Sequence, residues 1–482
     1  MTRTPSITFR HLFAIFFLVL TTAPSQGAPY RLNRVSDSAL MLYPDNLVSA
    51  TGDKQGNLHV VYTDSAERKW HIYYRSLRDG FWSVPVRLST AADILDNRSP
   101  QIVFDPATEN LYVVWLGLSS GSAVRTYKLF VMQVDPGSEH HSLVKTFDYG
   151  LATFRPQIAV SPGRLFLLSE ERPEKARSVF HVRVFLTASG EWIETSMQSS
   201  RVETVSSPVL GCTPEGAALL WVRTSAQGYD LMVSAMSPAA ATWGEPKPFF
   251  RSPALPETLR VAVRGKLLSI LWTIRGGGRN SIVMHMESRD GGQSWSGPGS
   301  LYSAGATIWA EPFAFSEKEI LALFTVIDDR GEKLKMKLTT NGGENWSPAE
   351  EIDAFDIGPT GRNSTKAQRP SVASLGGGNV LLSWEEWQSK GPTIALKAAT
   401  LQGLAAIQKQ LLDRTTEAGD RFPYYPQLWL AGDKAYVTFG TKRLPQSAME
   451  RISASNLYIV EVPAPLARPR RPEGARPVRK LP

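Results

Sequence analysis

The chain has 482 residues with one cysteine, Cys212, and a formal net charge of +8. A single cysteine excludes an internal disulfide, so a chain of this length must be stabilised by its hydrophobic core. The first 28 residues carry +2 and the tail from Ala464 carries +5, which leaves +1 for the body and argues against a nucleic-acid-binding domain.

The N-terminal segment has the pattern of a secretory signal peptide. Arg3 and Arg10 precede or flank an apolar run from Leu12 to Leu20, and small and polar residues follow up to Ala28. This run is too short to span a bilayer, and no later stretch approaches the roughly 18 apolar residues that a spanning helix needs. We therefore predict a secreted or periplasmic bacterial protein with a signal peptide at 1–28 and no membrane span.

A repeat of fifty-odd residues occupies the rest of the chain. A proline accompanies a short apolar strand eight times, at intervals of 56, 56, 52, 48, 56, 58 and 56 residues: Pro44, Pro100, Pro156, Pro208, Pro256, Pro312, Pro370 and Pro426. We expect each proline to open a strand, followed by a Gly- or Asp-containing turn, a second apolar strand, a polar loop and a third strand. Four-stranded units at this period predict an all-β fold, a β-propeller of about eight blades, with seven as the alternative count.

The two ends of the repeat region complement each other. The eighth unit lacks a fourth strand, and Tyr30–Val35, ahead of the first unit, resembles the fourth strands elsewhere. We predict that this N-terminal strand completes the last blade and leaves no open sheet edge. The seventh unit is the least regular, because Leu401–Leu412 has helical character. The expected organisation is one propeller domain at 29–463 and a disordered, basic, Pro/Arg-rich tail at 464–482.

Two eight-residue segments between a third and a fourth strand share one pattern. Each has Ser or Thr first, Asp or Asn third, Gly fifth and Trp eighth: Ser288, Asp290, Gly292 and Trp295, then Thr339, Asn341, Gly343 and Trp346. An Asp or Asn side chain accepts backbone N–H hydrogen bonds in a tight turn, Gly permits positive φ, and the Trp ring packs on the blade. We predict a structural role for these residues and no metal site.

This pattern resembles the Asp-box, or BNR repeat, of the sialidase superfamily. The resemblance implies a β-propeller in which an arginine triad holds a sugar carboxylate, a Tyr–Glu pair is the nucleophile and an Asp is the general acid. The first blade departs from the family signature Phe-Arg-Ile-Pro, because it reads Leu42-Tyr43-Pro44. The family's catalytic propeller also has six blades rather than eight.

Strand order predicts which loops share a face of the propeller. The loops before strand one and between strands two and three lie on one face, here called the axial face, and the two Trp-containing turns lie on the other. Arginines, carboxylates and tyrosines gather on the axial face. The candidates for ligand binding are Arg98, Arg155 and Arg369, and those for catalysis are Asp64 as the acid and Tyr425 with Glu311 or Glu385 as the nucleophile pair.

We expect this face to recognise a glycan or another acidic small-molecule or polymer ligand, without a cofactor. Two alternatives stay open. One is an exo-sialidase or another glycoside hydrolase, and the other is a scaffold that binds a protein partner through the blade rims and the tail. A phosphate-binding enzyme lacks support, since the sequence has no phosphate-binding loop.

Overall fold

The computed structural model describes residues 32–35, 48–66, 69–120, 126–150, 156–171, 179–198, 204–214, 216–236, 242–275, 280–303, 305–328, 331–355, 370–388, 391–412, 420–443 and 455–462. The predicted signal peptide and tail lie outside these residues. Within the described ranges, no helix has the length and apolar character needed to cross a membrane.

The described residues form 33 β-strands. In chain order the strands are β1 (Leu32–Arg34), β2 (Val48–Gly52), β3 (Leu58–Ala66), β4 (Lys69–Arg78), β5 (Phe81–Trp82), β6 (Val86–Arg87), β7 (Ile94–Asp105), β8 (Asn110–Ser119), β9 (Tyr127–Val134), β10 (His141–Gly150), β11 (Gln157–Ser161), β12 (Arg164–Glu171), β13 (Val179–Leu186), β14 (Glu191–Gln198), β15 (Thr204–Thr213), β16 (Gly216–Ser225), β17 (Gly228–Ala235), β18 (Lys247–Ser252), β19 (Pro256–Arg264), β20 (Leu267–Arg275), β21 (Ser281–Ser288), β22 (Gly299–Tyr302), β23 (Ala306–Ala314), β24 (Ile320–Asp328), β25 (Gly331–Thr339), β26 (Glu350–Phe355), β27 (Ser371–Gly376), β28 (Asn379–Gln388), β29 (Gly391–Thr400), β30 (Gln410–Leu411), β31 (Asp420–Ala431), β32 (Lys434–Arg443) and β33 (Ser455–Val462).

These strands form eight antiparallel sheets that follow one another in the chain. Blade one contains β2 to β6, where the short strands β5 and β6 both pair with β4, and blades two to seven each use the next four strands. Blade eight contains β31, β32, β33 and β1. The structure confirms the predicted all-β propeller and sets the number of blades at eight.

The N-terminal strand closes the ring. β1 pairs antiparallel with β33, with Leu32 opposite Val460 and Arg34 opposite Tyr458. The backbone N–H of Val35 extends this pairing by donating to the carbonyl of Leu457 at 2.9 Å. This confirms the prediction that the first strand completes the last blade, which leaves that edge paired.

The hydrophobic core is divided among the junctions between blades. Eight clusters of buried side chains each contain residues from two consecutive blades. At the junction that closes the ring, Val48 and Val60 of blade one pack with Tyr436 and Ile459 of blade eight. Each sheet therefore buries both faces, which explains why second strands such as Leu267–Arg275 read as nearly continuous apolar runs.

The first strands of most neighbouring blades contact one another, among them β2 with β7 and β27 with β31. Side chains cross between them, since the N–H of Ile102 donates to Ser49 Oγ at 3.2 Å and the N–H of Leu428 donates to Ser371 Oγ at 2.9 Å. These contacts join blade one to two and blade seven to eight.

The prediction that a proline opens every first strand is wrong. Pro100, Pro208 and Pro426 lie at β-bulges inside β7, β15 and β31, several residues after each strand begins. A bulge leaves one backbone N–H out of the ladder, and proline has none to contribute. The preceding residues Ser99 and Ser207 have positive φ angles of 55° and 50°, an uncommon backbone conformation for serine.

The fourth strand of blade seven also differs from its prediction. The segment expected to be helical contains only a 3-10 turn, Leu401–Gly403, followed by the two-residue strand β30. Leu401 and Leu404 are buried against blade six, so their spacing reflects packing of a compact loop rather than a helix.

Candidate functional site

At the axial face, the first strand of each blade begins and the second strand ends. In blade two, Ile94 at the start of β7 pairs with Ser119 at the end of β8. The turns that follow β21 and β25 lie at the opposite ends of the blades, because successive strands run antiparallel.

Arg98 occupies a defined position on this face. It is exposed, while its neighbours Asn97 and Ser99 are buried. Its guanidinium carbon lies 4.1 Å from the ring centroid of Tyr127, the first residue of β9. Asn97 is held by Trp115, whose indole N–H donates to Asn97 Oδ1 at 2.9 Å. The bulge and this anchor therefore turn Arg98 outward and place it over an aromatic ring.

Asp64 is buried near the end of β3 and stands directly opposite His71 of β4. Side chains at such positions have Cβ atoms about 4.5–5.5 Å apart, so the carboxylate and the imidazole are close neighbours. Both side chains are almost fully shielded, at 5% and 3% exposure. The Nδ1 atom of His71 also approaches Ser89 Oγ at 3.4 Å. The sequence analysis did not single out His71, although the register of the β3–β4 hairpin is the signal that identifies it.

Two hydrogen bonds connect this pair to the segment that carries Arg98. The N–H of Trp70 donates to Asp96 Oδ1 at 3.2 Å, and Asn97 Nδ2 donates to the carbonyl of Trp70 at 3.0 Å. Trp70 directly precedes His71, and Asn97 directly precedes Arg98. Blades one and two thus place a buried Asp–His pair beside an exposed arginine.

Glu385 and its neighbour Glu386 are both buried at the end of β28 in blade seven. Glu386 Oε2 lies 2.9 Å from Lys409 Nζ, which also lies 2.8 Å from Asp353 Oδ2. Burial opposes the charge of Lys409, but the hydrogen bonds that Lys409 donates to Asp353 and Glu386 outweigh it and raise the pKa of Lys409. This ion-pair network ties blade seven to blade six, which gives Glu386 a structural role.

Glu311 lies within β23, opposite Leu323, rather than in a loop ahead of the strand. The reason is that β23 begins at Ala306, well before the proline taken as its start. Asp64, Glu311 and Glu385 therefore lie in blades one, six and seven. Each of the three side chains has an interaction partner.

The side chains of three predicted site residues lie outside the part of the chain that the structure describes. Arg155 and Arg369 lie outside the described residues, and Tyr425 is described only as backbone, at the bulge of β31. The arginine clamp and the tyrosine nucleophile stay predictions.

A second arginine group lies on the axial side of blade four. Arg223 Nη2 and Arg251 Nε contact the two oxygens of Asp230 at 2.8 and 2.9 Å. Asp230 is buried, and the hydrogen bonds from Arg251 and Arg223 lower its pKa. One ionised carboxylate thus orients two guanidinium groups, which leaves a local excess of positive charge.

The first Trp-containing turn is held by its own side chains. Asp290 Oδ1 accepts hydrogen bonds from Ser288 Oγ at 2.8 Å and from the N–H of Gln293 at 2.9 Å. Ser288 Oγ accepts the N–H of Gly292 at 2.7 Å, and Trp295 Nε1 donates to the carbonyl of Gly292 at 3.2 Å. The carboxylate is therefore engaged in forming the turn.

The second turn repeats this arrangement with an amide in place of the carboxylate. Asn341 Oδ1 accepts Thr339 Oγ1 at 2.8 Å and the N–H of Asn345 at 3.0 Å. Thr339 Oγ1 in turn accepts the N–H of Gly343 at 3.0 Å. Among the residues that the structure describes, no group of three or more His, Cys, Asp or Glu side chains could hold a metal ion.

No family model and no curated protein matches the sequence. Among solved structures, the chain is similar to an ulvan lyase from a new polysaccharide lyase family, with 12% identity and a TM-score of 0.45, covering 79% of this chain and 99% of that one. It is also similar to the Trypanosoma rangeli sialidase, with 13% identity, a TM-score of 0.40 and coverage of 66% and 56%. The NanB sialidase from Streptococcus pneumoniae matches with 11% identity, a TM-score of 0.36 and coverage of 73% and 68%.

Proposed function

We propose that this protein is an exported propeller that binds an acidic glycan at its axial face. The observation that carries the proposal is Arg98, an exposed guanidinium held over the ring of Tyr127 beside the buried pair Asp64 and His71. An arginine held in one orientation loses less conformational freedom when it binds a ligand. Its planar donors suit a carboxylate or a sulfate, which accept two parallel hydrogen bonds.

The arginines on Asp230 support the same ligand class. Arg223 and Arg251 share one carboxylate, so their combined charge exceeds that of their partner. A polymer with repeated acidic groups could contact blades two and four at once, whereas a neutral glycan offers no negative charge to these guanidinium groups. Simultaneous contacts of this kind raise the overall affinity above that of either site.

Binding of acidic glycans by the purified mature protein tests this proposal. Isothermal titration with polygalacturonate and sialyllactose should give saturable binding at the axial face. Arg98→Ala should weaken that binding about tenfold or more, and Arg98→Lys should restore only part of it, because an ammonium keeps the charge without the paired donors. Binding that is equal in Arg98→Ala and the parent protein would exclude the site.

Lys54→Ala is the matched control. Lys54 is an exposed cation of blade one on the side opposite the axial face, where it pairs with Glu109. Its loss removes one positive charge from the same pair of blades, so an equal effect in both variants would reveal attraction by net charge alone.

A second candidate function is glycoside hydrolysis, favoured by the buried pair of Asp64 and His71. A carboxyl group shielded from water beside an imidazole is suited to proton transfer. Turnover of fluorogenic sialosides and common glycosides should then be lost in Asp64→Asn and Tyr425→Phe while Asp433→Asn, an exposed control, stays active. If the parent protein hydrolyses none of these substrates, this candidate is excluded and the binding proposal is unaffected.

A further inference from the structure

A cavity of about 590 Å³ lies between the two Trp-containing turns, on the side of blades five and six opposite the axial face. Its walls include His285, Glu287, Arg289, Trp295 and Glu344. Its volume falls within the range of about 300–1,000 Å³ that is typical of small-molecule sites. None of these residues belongs to the axial site.

The wall nearest the protein interior contains an ordered polar pair. His285 Nδ1 lies 2.8 Å from Glu287 Oε1, and both residues are buried. Ser296 Oγ donates to Glu287 Oε2 at 3.1 Å, and the His285 ring meets Trp346 edge-on with centroids 5.4 Å apart. Contacts on several sides therefore hold the imidazole and the carboxylate in place.

Two glycines make room for this pair. A Cβ at Gly343, in the turn of blade six, would overlap the carboxylate of Glu287 from blade five. A Cβ at Gly299 would overlap the ring of His285 in the same way. The turn of blade six therefore leaves space for the carboxylate of Glu287 from blade five. Such a close fit is expected of a binding site rather than of an accidental gap between two surfaces.

The rim supplies an exposed ion pair. Arg289 Nη1 lies 3.1 Å from Glu344 Oε1, and Nη2 donates to the carbonyls of Asn341 and Gly342 at 2.9 and 3.1 Å. Both charged side chains are more than half exposed, so they can still meet a ligand. The backbone contacts fix the guanidinium relative to the second turn.

Trp295 supplies an aromatic wall. Phe249 stacks on it with ring centroids 5.3 Å apart and an angle of 15° between the planes. The indole N–H of Trp295 donates to the carbonyl of Gly292. The position and tilt of the indole are therefore determined before any ligand arrives.

We infer that this cavity is a second glycan site, separate from the axial face and selective for neutral sugars. The cavity contains carboxylate acceptors, a guanidinium donor, an imidazole and serine hydroxyls, which suit sugar hydroxyls because these both donate and accept hydrogen bonds. The indole of Trp295 suits the apolar face of a sugar ring. The carboxylates of Glu287 and Glu344 outnumber the one guanidinium of Arg289, so an acidic ligand is disfavoured here. The two sites would then divide neutral and acidic units between opposite sides of the propeller.

The test is titration of the full mature chain with lactose, maltose, galactose and mannose, followed by tryptophan fluorescence and calorimetry. At least one neutral sugar should bind saturably. Glu287→Gln and Arg289→Ala should each weaken that binding about tenfold, since each removes a charge-assisted hydrogen bond. Arg289 is exposed, so its variant keeps the test valid if Glu287→Gln does not fold.

Two controls separate this inference from the function proposed for the axial face. Glu461→Gln, which changes a partly exposed glutamate of blade eight, should leave sugar binding unchanged. Arg98→Ala should impair only the acidic ligands. The absence of saturable binding by all four sugars would overturn the inference, as would binding that Glu287→Gln and Arg289→Ala leave intact.

Discussion

His59 Nε2 donates a hydrogen bond to Asp53 Oδ2 at 2.9 Å, and both side chains are almost completely shielded from water. Because an ionised carboxylate can only accept, the proton lies on Nε2, and Nδ1 accepts the O–H of Tyr74 at 2.7 Å. Asn57 completes the group by donating to Asp53 from its backbone and its side chain, both at 2.8 Å. This network joins the first turn of blade one to its third strand.

The network predicts that the protein loses stability on acidification. Burial lowers the pKa of His59 below its ordinary 6.5, against the opposing effect of Asp53. Hydrogen bonds from His59 and Asn57 outweigh burial and lower the pKa of Asp53. In both cases the unfolded chain binds more protons than the folded one as pH falls through the ordinary pKa, so stability decreases.

We expect Tm to fall between pH 7 and pH 5, and to fall less steeply in His59→Gln, which is also less stable at pH 7. His140 is exposed and provides the control variant His140→Gln. Scanning calorimetry across this range gives the slopes. Equal slopes in the parent protein and His59→Gln would show that the buried imidazole does not govern the pH dependence.

Asp290 should be more important to stability than its exposure suggests. Asp290→Ala removes the acceptor for the N–H groups of Gln293 and Ser294 and for the hydroxyl of Ser288, with an expected loss of about 1–3 kcal/mol. Asp290→Asn should cost less, because Asn341 performs this role in the second turn. Chemical denaturation measures both variants, and an Asn variant as unstable as the Ala variant would contradict the expectation.

Gly343 should not tolerate a side chain. Its φ of +94° disfavours any L side chain, and a Cβ would overlap Glu287, so Gly343→Ala should destabilise the protein by about 2 kcal/mol or more. Gly297 lies nearby, its φ is outside the left-handed region, and nothing occupies the position of an added Cβ, so Gly297→Ala is the control. If the two variants unfold at the same denaturant concentration, Glu287 is free to move away.

Val35 should contribute to closure of the ring. It is fully buried in the cluster between blades eight and one, and its N–H continues the pairing of β1 with β33. Val35→Ala should cost about 2 kcal/mol and speed up limited proteolysis, because it loosens the strand that joins the two ends of the chain. Val84→Ala, at an exposed valine, should change neither measurement.

Much of the architecture could be predicted from local patterns. Apolar strands at a constant spacing and the two turns around Asp290 and Asn341 indicated a propeller of eight blades, and the strand-like Tyr30–Val35 indicated how it closes. The errors arose where a local rule was extended too far. Pro100 and Pro208 lie inside their strands, because a bulge accommodates a residue without an N–H as well as a strand end does.

The candidate site was less predictable. Asp64 was expected in the loop after a second strand and lies within β3, where hairpin register sets His71 opposite it. Arg98 was selected by its place before a proline, whereas its contact with Tyr127 arises from the third strand of the blade. Glu311 was expected in a loop and lies within β23.

The sequence by itself determined the repeat, the strand order and the turn chemistry, because these depend on residues close together in the chain. Only the tertiary structure decided which side chains meet across strands and blades. Asp64 faces His71 through strand register, and Glu287 lies beneath Gly343 because the ring brings two blades together. Asp64 and His71 are only seven residues apart, but the register of their hairpin decides that they face each other. Glu287 and Gly343 belong to different sheets, so the packing of the closed propeller, rather than any local pattern, brings them into contact.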